Sequence, residues 1–159
     1  MIPRTPMTPE GHATLVAELK HYKEVLRPQT VLEIEEARAH GDLSENAEYH
    51  AAKEKNGQGE ARKRLVESRL SAAEVIDVTK IESSDRVIFG TTVELFEVEA
   101  DEELEYRLVG IDEANVKNGT ISHESPIGRA LLGKEIGDEV LVQAPRGKRV
   151  FEILNVRYE

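Results

Sequence analysis

Hydrophobic and polar positions follow two different rhythms along this chain, and the rhythm changes near Val75. Before that point apolar residues recur at helical spacing. His12, Leu15, Leu19, Tyr22, Leu26, Thr30, Ile34 and Ala37 succeed one another at steps of 3, 4, 3, 4, 4, 4 and 3. This is a heptad seam with one four-residue stutter near its middle. Thr8-Pro9-Glu10 supplies its start: a hydroxyl N-cap, a proline where a missing N–H costs nothing, and a carboxylate that complements the helix dipole. Pro28 lies beside the stutter, where it deletes one backbone bond and crowds the preceding turn, so the pattern predicts one long helix bent there. A second seam runs through Ala47, Ala51, Glu54, Gln58, Ala61, Leu65, Ser68, Ala72 and Val75, at alternating steps of 4 and 3. Its small residues permit close helix approach but bury little area. Gly57 and Gly59 each weaken the helix by about 1 kcal/mol relative to Ala. Two long helices separated by Gly41 and its neighbours predict an antiparallel hairpin over residues 1–78, with its tip at 41–46. At a rise of about 1.5 Å per residue, arms of about 30 residues span roughly 45 Å.

Beyond Val75 the pattern is that of strands and turns. Arg86–Phe89, Thr92–Val98, Leu104–Val109, Thr120–Ser122, Glu139–Ala144 and Val150–Val156 read as strands, the second and third forming a hairpin around an acidic turn. Ser125-Pro126 followed by apolar 127, 131 and 132 reads as a short helix ended by Gly133. Residues 79–159 are therefore expected to form an α+β globule with a small antiparallel sheet.

Composition narrows this picture. Only 4% of the 159 residues are aromatic while 33% are charged, which suits exposed helices and one modest core. There is no Cys, which excludes disulfides and thiolate metal sites. No apolar run approaches the roughly 18 residues of a membrane span, and the first residues lack the apolar core of a signal peptide, so a cytoplasmic location is expected. The net charge is −10, and residues 1–79 carry 11 basic against 14 acidic side chains. Neither half has the basic footprint of a stand-alone nucleic-acid binder, so any contact with RNA or DNA must be local or made inside a partner that supplies positive charge.

The candidate chemistry lies at the tip, where Asp42 and Glu45 stand three residues apart. Asp42-Leu-Ser-Glu45 also fits a capping box, with Asp42 as N-cap of the second helix and Glu45 reaching back. His40 and His50 flank the acids, but the His-Glu-x-x-His spacing of a helical zinc site is absent, and surface histidines are the simpler reading. His12 fits the first seam, and His21 and His123 carry no signal. Arg38 and Lys53 read as solvated helix charges on spacing alone.

Gly41-Asp-Leu-Ser-Glu-Asn-Ala-Glu-Tyr-His50 is similar to the tip motif of the Gre transcript-cleavage factors, the GreA type in particular. The resemblance continues through Val75–Thr79, Arg86–Val93 and Ile121–Lys134, in the family's order. It implies a coiled-coil hairpin followed by an FKBP-like globule that docks at the rim of the secondary channel of bacterial RNA polymerase. The hairpin enters the channel, and the polymerase itself cuts the backtracked RNA 3′ end. The chain is then an accessory factor without turnover of its own. Asp42 and Glu45 match the family's tip acids and are implied as ligands of a second Mg²⁺ shared with the polymerase. Ser44 and Asn46 are implied as support for the tip. Lys53, where the family usually has Arg, and Arg38 are implied as contacts to the RNA. Ser122, Ser125, Pro126 and Ile127 fall in the segment that grips the polymerase. No cofactor of its own, no stable small-molecule ligand and no membrane are expected. A channel-plugging inhibitor on the same scaffold is the alternative, and relief or block of elongation separates the two. A prolyl isomerase inferred from the globule is weaker, because its pocket needs an aromatic lining and this half has no Trp.

Overall fold

The computed structural model describes residues 4–41, 46–145 and 147–159. It divides into a helical unit, His12–Ala73, and a second unit made of Arg4–Gly11 with Glu74–Glu159. Arg4–Gly11 thus groups with the second unit by its contacts.

Strand β1 (Thr5–Met7) is followed by helix α1 (Pro9–His21), a π-helical turn over Tyr22–Leu26, and helix α2 (Arg27–Ala39). The expected N-cap is present: the Thr8 hydroxyl accepts from the Gly11 N–H at 3.1 Å. The π turn is how the chain accommodates the stutter. Pro28 has no N–H and would crowd the carbonyl one turn earlier, so the Arg27 N–H bonds to the Tyr22 carbonyl instead, widening the helix by one residue. The Thr30 hydroxyl donates to the Leu26 carbonyl at 2.8 Å, one turn back along the helix. The first seam is buried at Leu15, Tyr22, Thr30 and Ala37, but the widened turn rotates Leu26 outward to 39% exposure.

Helix α3 (Ala47–Ala72) returns along α1 and α2 on a different face from the expected one. Ala47, Ala51, Glu54, Gln58, Ala61, Leu65 and Ser68 are exposed, whereas Tyr49, Ala52, Asn56, Gly59, Lys63, Val66 and Leu70 are buried or half-buried. The period was right and the phase was wrong. The reason is Tyr22, whose ring lies so close to Gly59 that a Cβ there would sit 2.6 Å from Cε2. Gly59 therefore marks where the helices approach, and Ala47, Ala51 and Ala61 face outward. The Tyr22 hydroxyl donates to Glu60 at 2.9 Å, and Arg27 bonds the same carboxylate at 3.0 Å. The Tyr22 hydroxyl, with the Arg27 and Lys63 charges, holds the Glu60 carboxyl below its ordinary pKa against the opposing effect of desolvation. Arg62–Glu18 and Lys55–Glu33 ion pairs tie the two arms on either side of this contact.

In the second unit, β1 pairs with β2 (Ala73–Val75), and a separate five-stranded sheet has the order β5-β4-β3-β7-β6. Its strands are β3 (Thr92–Glu97), β4 (Glu102–Val109), β5 (Thr120–Ser122), β6 (Glu139–Ala144) and β7 (Gly147–Arg157). All neighbours are antiparallel except β5, which joins β4 in parallel. Period-2 alternation puts Val93, Leu95, Val140, Val142, Phe151 and Ile153 on the inner face, where Leu131 of helix α4 (Pro126–Leu131) covers them. Phe151 is wholly buried in that core. The expected strand at Arg86–Phe89 is not one. Arg86 makes a single bridge to Glu135, and Val87 bonds the Gly133-Lys134 backbone, which draws this segment under the sheet as a loop.

Candidate functional site

The two arms of the hairpin are joined through Asn46. Helix α2 stops at Ala39 because Gly41 adopts a positive φ of 111°, a conformation that glycine alone takes without strain. Asn46 then starts α3 from extended backbone. Its Oδ1 accepts from the Tyr49 N–H at 3.1 Å, and its Nδ2 donates to the Ala37 carbonyl at 2.6 Å. One side chain thus caps the first turn of α3 and gives the Ala37 carbonyl in the last turn of α2 a second donor beside the His40 N–H at 3.2 Å. This overturns the capping-box reading of Asp42: the cap of α3 is Asn46, and the helix begins at Ala47. Asp42, Ser44 and Glu45 lie outside the described residues. Asn46→Ala is expected to lower the stability of the helical unit by about 1 kcal/mol, read as an earlier loss of helical circular dichroism on heating. An unchanged transition would contradict the bridging role.

Near this end of the hairpin a cavity of about 350 Å³ opens between α2 and α3. Glu33, Glu36 and Glu48 line it with His40 and Lys55. The Lys55 ammonium bonds Glu33 at 3.2 Å. Lys53 is exposed and holds its ammonium 5.3 Å from the Tyr49 ring centroid, on the first turns of α3. Arg38 is exposed in the last turn of α2. Among the described residues no group of three or more His, Asp or Glu side chains is placed to hold a metal ion. His40 ends α2, and the His50 ring packs edge-on to Tyr49 at 5.7 Å.

In the second unit, Ser122 ends β5 and Ser125 is the N-cap of α4. Both hydroxyls are engaged internally. Ser125 donates to the Ser122 carbonyl at 2.7 Å and accepts from the Gly128 N–H at 3.1 Å, while the Ser122 hydroxyl accepts from the Glu124 N–H at 3.1 Å. Gly128 allows this fold-back, because a Cβ there would collide with the Ser122 carbonyl. Pro126 is exposed at the first helical turn, and Ile127 is half-buried against the core. The serines therefore shape the loop, and Pro126 is the side chain it presents. Ser125→Ala should destabilise the second unit by about 1 kcal/mol, measured by chemical denaturation, through loss of the cap. Sequence reasoning found no signal at His123, yet its ring packs edge-on to Phe89 at 5.4 Å with a buried Nε2 that has no hydrogen-bond partner among the described residues. It also found none at Glu113, which accepts from Thr8, 105 residues distant in sequence.

Comparison with known proteins matches residues 5–75 to the model "Transcription elongation factor, N-terminal" and residues 82–158 to "Transcription elongation factor, GreA/GreB, C-term". The chain is 56% identical to transcription elongation factor GreA of Pseudomonas aeruginosa, over 96% of this chain and 97% of that one. It is 54% identical to transcription elongation factor GreA of Hyphomonas neptunium, over 98% and 99%. Among solved structures it is similar to GreA factor homolog 1 of Thermus thermophilus, at 29% identity, 97% and 99% coverage and a TM-score of 0.43.

Proposed function

Since this chain belongs to the GreA/GreB family of transcription elongation factors, we propose that it acts on bacterial RNA polymerase by lending the carboxylates of Asp42 and Glu45 to the polymerase's own active centre. The reaction is endonucleolytic cleavage of the RNA 3′ end in backtracked, arrested complexes. The observation that supports this reading best is the construction of the hairpin end. Gly41 stops α2, and Asn46 caps α3 and bonds back to α2, so the two described flanks of the acidic pair are held to each other.

The chemistry asks for hard anionic ligands delivered from outside. Hydrolysis of a phosphodiester needs a positioned water and charge stabilisation at the attacking and leaving oxygens, which a pair of Mg²⁺ ions supplies. Two carboxylates are a poor Mg²⁺ cage alone, but Mg²⁺ commonly takes only one or two protein carboxylates and keeps several waters. Asp42 and Glu45 would complete the coordination of the polymerase's weakly held second ion and orient the water. The chain then needs no cofactor of its own and performs no turnover alone. Lys53 and Arg38, on the helix turns adjoining the tip, would face the nascent RNA near its 3′ end, where their charge offsets phosphate. Pro126 and Ile127, in a loop braced by Ser122 and Ser125, would form the grip on polymerase.

The test uses stalled, backtracked polymerase with Mg²⁺. Adding the chain should accelerate release of short RNA 3′ fragments and restart elongation, while free RNA stays intact. Blocked elongation without cleavage would instead support a channel inhibitor, and cleavage of free RNA would refute the accessory role.

A further inference from the structure

Glu113 makes contacts that a surface-loop carboxylate has no need of. Its Oε2 accepts from the Thr8 N–H at 3.1 Å and from the Gly110 N–H at 2.9 Å, and its Oε1 accepts from the Thr8 hydroxyl. That hydroxyl in turn accepts from the Gly11 N–H, so the N-cap of α1 is itself held by the carboxylate. Thr8 is 1% exposed. Two glycines make room for the arrangement. A Cβ on Gly110 would sit 2.7 Å from Glu113 Oε2, and a Cβ on Gly11 would overlap the Glu113 carboxyl. Two residues after Thr8, Glu10 accepts from Arg107 of β4 at 3.2 Å. All of these residues lie within the second unit, yet α1 continues past Gly11 into the helical unit as one unbroken helix.

We propose that Glu113 is a positioning residue for the reaction: it clamps the first turn of α1, the start of the helix that leads towards the tip, onto the loop after β4. This rests on the reading that the tip acids serve polymerase-catalysed cleavage. A carboxylate accepting two backbone N–H groups and a hydroxyl is a strong, directional anchor, and hydrogen bonds to a charged group exceed neutral ones. Without the carboxylate the first turn of α1 loses its anchor to the loop after β4. Catalytic groups misplaced by about 1 Å can lose on the order of 100-fold in rate without any loss of binding.

The experiment uses the full chain as parent, Glu113→Ala, Thr8→Ala and the double variant. Hydrogen exchange of the peptide covering residues 8–12 should quicken by on the order of 10-fold in Glu113→Ala, and also in Thr8→Ala, which keeps the backbone bond to Glu113 but deletes the acceptor of the Gly11 N–H. In the backtracked-polymerase assay the maximal stimulated rate should fall by about 10-fold while the half-saturating concentration of factor stays the same. The rate loss of the double variant should fall well short of the product of the two single losses, because both substitutions open one clamp. A purely stabilising role would leave the maximal rate of the folded variant untouched, and that result overturns the proposal. Unchanged exchange at residues 8–12 would overturn it as well. Failure of the parent itself to stimulate cleavage would instead refute the functional reading, and the exchange result would still report on the clamp.

Discussion

Asp42→Ala and Glu45→Ala should each lower polymerase-stimulated RNA cleavage by on the order of 100-fold, equivalent to about 2.7 kcal/mol of transition-state stabilisation. Binding to polymerase should persist, because the residues assigned to docking, Pro126 and Ile127, lie in the second unit. The pattern expected of a group that acts only in the transition state is a fall in maximal rate with an unchanged half-saturating concentration. The double variant should be little worse than either single one, since two ligands of one ion act as a unit. Equal stimulation by both variants and the parent would remove the carboxylates from the mechanism. Asp42→Asn and Glu45→Gln are useful companions, because they keep the size of the side chain and delete only the charge.

Two glycines two residues apart on α3 should respond to alanine in opposite directions. A Cβ on Gly57 meets nothing within 4 Å, so Gly57→Ala should stabilise the helical unit by about 1 kcal/mol through helix propensity alone. A Cβ on Gly59 would sit 2.6 Å from the Tyr22 ring, which is 9% exposed and tethered through its hydroxyl to Glu60. The ring has no room to retreat, so overpacking of roughly 1–3 kcal/mol outweighs the propensity gain and Gly59→Ala should be destabilising. Thermal melts followed by helical circular dichroism decide the matter. If Gly59→Ala stabilises as much as Gly57→Ala, the close approach of α1–α2 to α3 is not at this point.

What could be read from the amino acids follows from which forces are local. Thr8-Pro9-Glu10 as a helix start and Ser125-Pro126 as another are written in short segments, and both appear in the fold. The strand alternation in β3, β6 and β7 is equally local. The first seam was legible because large residues mark it, whereas the stutter's resolution into a π turn depends on Pro28 and Tyr22 together. The face of α3 was not legible. Its buried side joins Ala52 and Val66 with a glycine, an asparagine and the stem of a lysine, and a search for aliphatic residues passes over the last three. Likewise Asn46 surpassed Asp42 as the cap because it can both accept from Tyr49 and donate to Ala37, and a carboxylate only accepts. The tip acids were found through the resemblance of the whole motif. Spacing alone pointed to a capping box.

Mg²⁺ dependence reaches the central claim most directly. Cleavage by backtracked polymerase should be titrated with Mg²⁺ in the absence of factor, with the parent chain, and with Asp42→Asn or Glu45→Gln at saturating concentration. If the two carboxylates complete the second ion's coordination, the parent lowers the Mg²⁺ concentration for half-maximal cleavage, and each charge-deleted variant returns it towards the factor-free value. A half-maximal Mg²⁺ concentration that is the same with parent and variants would contradict the account.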